Sequence, residues 1–120
     1  DIDKKFVEHS DKIIIPTFCD YSTTAGTIKV IKEAGVEKVH SVIVNLFKPT
    51  SNQTKYYFDL KNVLEETDVI FPEPIQELSV IEGLIEKGKT IWESKSKKLL
   101  KAQNSLLDII DGMVEDIKEW

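Results

Sequence analysis

The sequence predicts an α/β fold: a partial parallel sheet of about three strands, flanking helices and a long amphipathic helix at the C-terminus. Two observations carry that expectation. Short β-branched apolar runs recur at Ile13-Ile14-Ile15, Val42-Ile43-Val44 and Val69-Ile70-Phe71, and segments of helical period separate them. Each run is continuous rather than alternating, which is the pattern of a strand covered on both faces. A length of 120 residues sets the scale, since it is enough for one core and one domain. Residues 1–120 therefore read as a single α/β unit, with the sheet-bearing part over about 1–94 and the terminal helix over 95–120.

Taken in order, Lys12 to Pro16 reads as a short buried strand that Pro16 closes, and Thr17 to Asp20 as the loop after it. Ser22, Thr23 or Thr24 then supplies the cap of a helix running to about Ala34, and Gly35 stops it. Val39 to Phe47 is the second strand, broken by Lys48-Pro49-Thr50-Ser51-Asn52. From Gln53 to Glu66, Tyr56, Tyr57, Leu60, Val63 and Leu64 recur at helical spacing. Val69 to Phe71 is a third strand, stopped by Pro72 and Pro74. Ile75, Leu78, Ile81 and Leu84/Ile85 trace one helical face as far as Gly88. In the last segment, Lys95 to Glu119, an apolar stripe of Leu99, Leu106, Ile110, Met113, Ile117 and Trp120 predicts a helix docked on the α/β layer or on a second subunit. Three strands are few for a doubly wound domain, so the chain reads as one half of a larger sheet.

Composition narrows the function classes. With 41% hydrophobic and 31% charged residues the chain has the make-up of a soluble globular protein, and no apolar stretch approaches the ~20 residues that span a bilayer. No charged-then-apolar leader opens it, and the single cysteine, Cys19, excludes an intrachain disulfide framework; both fit a cytoplasmic location. All 16 basic residues are lysine, so no arginine finger or bidentate arginine clamp comes from this segment. A net charge of −5 argues against a general nucleic-acid-coating surface, while leaving room for a local lysine patch. The first residue is Asp1 rather than methionine, as in a fragment or a processed product.

Several motifs invite chemistry. Gly83-Leu84-Ile85-Glu86-Lys87-Gly88-Lys89-Thr90 matches G-x-x-x-x-G-K-[ST], the phosphate-cradling loop. That loop must leave a buried strand and open a helix, whereas the residues before Gly83 have helical period, so the expectation is a helix ending at a glycine cap. Cys19 is either a small buried hydrophobe or half of a Cys–His nucleophilic pair with His9 or His40. Two histidines and one cysteine at these spacings do not make a zinc site, so no metal ligands are assigned. Lys95, Lys97, Lys98 and Lys101 cluster at the start of the last helix, where a solvated face is the default and contact with DNA or another anionic surface the alternative. Ligands of open α/β sheets sit beyond the carboxyl ends of the strands, which here are Pro16-Thr17, Asn45-Leu46 and Phe71-Pro72-Glu73-Pro74-Ile75. Asn45 closes an apolar strand with an amide that can both donate and accept, the pattern complementary to adenine N6 and N7; capping a turn is its other use.

Ile13-Ile14-Ile15-Pro16-Thr17, Asp20-Tyr21-Ser22, Val42-Ile43-Val44-Asn45, Pro72 to Ile75 and Gly88-Lys89-Thr90-Ile91-Trp92-Glu93 follow one another in that order. The order resembles the second half of the ParA/MinD class of deviant-Walker-A P-loop ATPases, with the plasmid- and chromosome-partition branch most similar, over roughly residues 10–94. The resemblance implies half of a P-loop NTPase fold, with Asn45 reading adenine and Pro72, Glu73, Pro74 and Ile75 walling the base. It also implies Lys95, Lys97, Lys98 and Lys101 as the surface for DNA or a partner protein. ATP and magnesium belong to the intact family member; neither is expected to bind tightly to this chain alone. The family's glycine- and lysine-rich phosphate loop is missing, so the chain by itself is not expected to hydrolyse ATP. Asp1 or Asp3 stands where the magnesium-side aspartate belongs, without the small, proline-rich run that follows it in the family. Self-association as a dimer or higher is expected, from the open sheet half and from the family. A membrane partner is not, because the chain ends Glu115-Asp116-Ile117-Lys118-Glu119-Trp120. The alternative is a non-enzymatic α/β adaptor that pairs with another protein through its last helix.

Overall fold

The computed structural model of the chain describes residues 2–76 and 79–118, without the side chains of residues 2–4, 79 and 98. The elements are α1 (Ile2–His9), β1 (Ile13–Thr17), α2 (Tyr21–Ala34), β2 (Val39–Val44), α3 (Ser51–Leu64), α4 (Ser79–Glu86) and α5 (Leu100–Lys118). Single 3-10 turns lie at Val36–Lys38, Ile91–Glu93 and Lys97–Leu99. The fold is mixed α/β, with a parallel pair of strands and a long C-terminal helix, as the sequence predicts.

β1 and β2 pair in parallel, Ile15 opposite Val42 and Thr17 opposite Val44. The predicted third strand is a correction: Val69 to Gln76 forms two isolated parallel bridges rather than a continuous strand, Ile70 with Ser41 of β2 and Gln76 with Phe47 beyond the end of β2. Its backbone still bonds to the far edge of β2 at both ends. Val42 N donates to Ile70 O and Ile70 N to His40 O, while Ile75 N donates to Val44 O and Phe47 N to Ile75 O. Between these pairs stand Pro72 and Pro74, which have no N–H to give the ladder. β2 is thus the central strand, and all six of its residues are buried.

Two apolar clusters lie along the sheet. Ile31, Val39, Val42, Leu64 and Val69 pack beneath its amino half. Cys19, Val44, Phe47 and Leu60 pack beneath its carboxyl half, with Tyr56, Tyr57 and Phe71 against them. The Tyr57 and Phe71 rings stack at 5.2 Å between centroids, and Phe47 closes on Tyr57 at 5.7 Å.

Local signals explain most boundaries. Asp20, not Ser22, Thr23 or Thr24, caps α2: its Oδ1 accepts from Thr23 N at 2.7 Å and its Oδ2 from Thr23 Oγ1 at 3.1 Å. A carboxylate there also meets the positive end of the helix dipole, which a hydroxyl does not. Gly35 ends α2 at φ 90, where a Cβ would run into the Glu37 carboxylate. Thr50 caps α3, so that helix starts at Ser51, two residues before the predicted start at Gln53. α4 begins at Ser79, which leaves Ile75 beside β2 and off the helical face assigned to it from spacing; Leu78 lies outside the described residues. The motif at Gly83 to Thr90 is the end of α4 and a turn with Gly88 at φ 67, not a phosphate loop after a strand. α1 went unanticipated.

α5 is rotated relative to the predicted stripe. The side chains it buries are Ala102, Ser105 and Ile109, with Leu99 just before it fully buried. Ile110, Met113 and Ile117 are exposed, by 46%, 40% and 59%; Trp120 lies outside the described residues. Small residues decide the rotation. At Gly112 a Cβ would overlap Ile70 Cδ1 and come within 3.3 Å of His40 Nε2, so only a glycine lets the helix backbone settle this close to the sheet. Ser105 Oγ then lies 2.7 Å from Glu73 O and 2.9 Å from Lys101 O, and its hydroxyl proton serves one or the other.

Candidate functional site

Parallel pairing brings the ends of β1 and β2 and the bridged Pro72–Ile75 segment to one edge. Asn45 N donates to Thr17 O at 2.8 Å, which puts the end of β1 beside the end of β2. On the other side, Ile75 donates to Val44 O at 2.8 Å and accepts from Phe47 N at 2.9 Å, flanking Asn45. Asn45 and the Pro72–Ile75 segment, distant in sequence, therefore share the carboxyl edge of the sheet. Pro72 is buried, Pro74 and Ile75 are half-buried, and Glu73 is exposed with its carbonyl held against Ser105.

Asn45 is exposed, and its Oδ1 accepts the Leu46 N–H at 2.9 Å. That bond holds Leu46 at φ 50, a left-handed conformation that leucine seldom takes and the only positive φ outside glycine among the described residues. Such a residue stores strain, and stored strain gathers at working sites. Nδ2 of Asn45 is left with no partner among the described residues, and Oδ1 keeps a second lone pair. Leu46 and Phe18 stand half exposed at the same edge, apolar surface suited to a planar ring. The sequence marks Leu46 only as part of a strand end and gives Phe18 no role; the signal for Phe18 is its place directly after a closed strand.

Burial pushes the Cys19 thiol up to about 11, with the neighbouring Asp20 carboxylate adding to the effect. Its sulfur packs among Val44, Phe47 and Leu60, so the structure selects the buried-hydrophobe alternative over the nucleophile. Burial, followed by the Glu73 charge, also raises the Tyr57 phenol.

The lysine cluster is not one helical face. Lys95 precedes α5 by five positions, Lys97 lies in a 3-10 turn and Lys101 in the first turn of α5, all exposed; the Lys98 side chain lies outside the described ones. Of the three, only Lys101 lies within the first turn of α5, where a cation opposes the helix dipole.

The opposite, amino edge holds a feature that sequence reading missed. A cavity of about 600 Å³ is lined by His40, Lys12, Glu37, Asp68, Glu115 and Asp116, among others. His40 is buried, with Nδ1 3.2 Å from Ser41 Oγ. Its Nε2 lies 3.6 Å from Asp116 Oδ2, too far for a hydrogen bond, and has no other partner. Among the described residues no three His, Cys, Asp or Glu side chains converge as a metal-binding group, and no helix is long and apolar enough to cross a membrane.

No family model matches the chain, and searches of the curated proteins and of the solved structures give no match.

Proposed function

We propose that this chain is the C-terminal portion of a ParA-like partition ATPase and that it supplies the adenine-recognition edge. One observation supports the reading above the others: Asn45 stands at the carboxyl end of the central strand, with Ile75 of the proline-bearing segment hydrogen-bonded on either side of it. The donor set suits the base. Nδ2 can give a hydrogen bond to N7, while Oδ1 accepts from N6 through the lone pair that Leu46 leaves free. Pro72, Glu73, Pro74 and Ile75 form the wall. No residue here is assigned to the phosphates or to magnesium, whose chemistry comes from the other half. Lys95, Lys97, Lys98 and Lys101 remain the candidate surface for DNA or the partition partner protein, through counterion release.

The isotope-labelled full chain, titrated with ADP, tests the reading by amide shifts. Shifts should centre on Asn45, Leu46 and Ile75, and Asn45→Ala should weaken the response at least tenfold while GDP gives none. Equal response in Asn45→Ala, or no shift at millimolar ADP, overturns it. The exposed apolar side of α5 favours a second reading, a non-enzymatic interaction module, in which Asn45→Ala leaves every property of the chain intact.

A further inference from the structure

The cavity at the amino edge joins one unpaired ring nitrogen to a set of separated carboxylates. His40 is 6% exposed, and its Nε2 has no hydrogen-bond partner among the described residues. With Nδ1 3.2 Å from Ser41 Oγ, neither tautomer satisfies the other nitrogen. As an N–H, Nε2 falls short of Asp116 Oδ2 at 3.6 Å; as a lone pair, it faces a second acceptor. A donor between the two answers the second case, and a cationic donor does so most strongly. Glu66 and Asp68 line the same cavity from the segment that leaves α3; both are exposed, and neither meets a cation among the described residues. Lys12 is the one described lysine in the lining, and its Nζ donates to Glu37 O at 2.7 Å rather than to a carboxylate. Glu115, also in the lining, is engaged with Lys118 at 3.5 Å.

We propose that this cavity binds a small aliphatic oligoamine, with one ammonium between His40 Nε2 and Asp116 and another against Glu66 and Asp68. The inference does not rest on the nucleotide reading, since it uses neither Asn45 nor its edge. Three features choose the class of ligand. A volume of about 600 Å³ suits a small molecule rather than a single ion. The carboxylates stand on separate elements, and among the described residues no three ligand-type side chains converge, so the compact cage that a divalent ion needs is not built here. Val36, Val39 and Ile70 share the lining and give apolar surface to the methylene linkers, so charged and apolar wall match a chain that alternates the two. Neutral His40 acts as acceptor through Nε2, with Nδ1–H turned to Ser41 Oγ. Nε2 is reached when the Asp116 side chain, itself 41% exposed, changes rotamer, which brings the carboxylate and the ring nitrogen onto one ammonium.

Calorimetric titration of the full chain with spermidine at low ionic strength tests the proposal, with the His40 ring resonances followed in parallel by NMR. The expected result is saturable one-to-one binding that moves the His40 ring and the Gly112 amide. Asp116→Asn and Asp68→Asn keep shape while removing one charge each, and each should weaken binding at least fivefold. Glu86→Gln removes the same charge at the end of α4, outside the cavity lining, and should change affinity less than twofold. Propylamine, with a single ammonium, should bind at least tenfold more weakly than spermidine. No saturable binding at millimolar spermidine overturns the proposal. Equal weakening by Glu86→Gln also overturns it, as diffuse attraction to a chain of net charge −5. Magnesium chloride that binds as tightly and moves the same His40 resonances overturns it in favour of a point charge. Should Asp116→Asn unfold, the parent chain decides: spermidine that binds while the His40 ring stays unmoved overturns the assignment.

Discussion

The two ends of the sheet are closed by different means. At the carboxyl end, Tyr57, Phe71 and Phe47 pack ring on ring over Leu60 and Val44, and every strand terminus is tied to its neighbour by the backbone. What remains open there is Asn45 on a strained turn, flanked by the half-exposed Leu46 and Phe18. At the amino end no aromatic side chain among the described residues plugs the sheet; α5 lies across the opening, held close by the absence of a side chain at Gly112, and a cavity whose lining includes the carboxylates of Glu37, Asp68, Glu115 and Asp116 remains beneath it. A parallel sheet forces this asymmetry. All strands end on one edge, where turns leave side chains free to meet a ligand, and all begin on the other, where returning segments only need covering. His40 marks where that covering stays incomplete: it is buried under α5 and 3.6 Å from Asp116, in the wall of the cavity.

The largest effect separates the two ends by how each is filled. Leu60 is fully buried in the carboxyl cluster, so Leu60→Ala should cost about 3 kcal/mol in urea denaturation, transfer and cavity terms together. A loss under about 1 kcal/mol would mean that the aromatic cluster collapses into the space and that this end is not rigidly packed. Gly112→Leu tests the amino end. The added side chain has no room between α5 and Ile70, so the helix must lift, at a cost of about 2 kcal/mol. Hydrogen exchange should rise along α5 and leave β1 and α2 protected. Uniform loss of protection, or none, would contradict a closure made by one docked helix.

Apolar period and turn chemistry made much of this legible. The β-branched runs at Ile13 and Val42 located both strands, while the run at Val69 was read as a third strand and forms only isolated bridges, because Pro72 and Pro74 have no N–H to extend the ladder. The place of Asn45 at the carboxyl edge of the sheet was legible because it directly follows an apolar run. What failed did so for physical reasons. The stripe drawn through Leu99, Leu106, Ile110, Met113, Ile117 and Trp120 followed the largest side chains; Leu99 is buried as expected, but Ile110, Met113 and Ile117 are exposed, because docking is set by the small residues Ala102, Ser105 and Gly112, which let backbones approach. The cap of α2 is a carboxylate because Asp20 ends the short loop after β1 and directly precedes the first helical residue, two positions before Ser22. The His40 cavity was invisible, since Lys12, Glu37, Asp68 and Asp116 come together only through the tertiary fold.

The smallest effect lies at the carboxyl end and separates a cap from a charge. Asp20→Ala removes both bonds to Thr23 and should cost about 1 kcal/mol. Asp20→Asn keeps an oxygen for the Thr23 N–H and should recover most of that loss. The Cys19 thiol reports the charge independently. It stands at about 11 through burial first and the Asp20 carboxylate second, so either substitution should lower it while leaving it above its ordinary 9.0. Because the folded thiol holds its proton where the unfolded one has lost it, stability falls as pH rises from about 9 toward 11, and that fall should be shallower in Asp20→Asn than in the parent chain. Thiolate absorbance and denaturation across this window measure the two quantities separately. If Asp20→Asn and Asp20→Ala are equally destabilised, the interaction of the charge with the helix dipole outweighs the hydrogen bond, and the α2 terminus is held by electrostatics instead of by its cap.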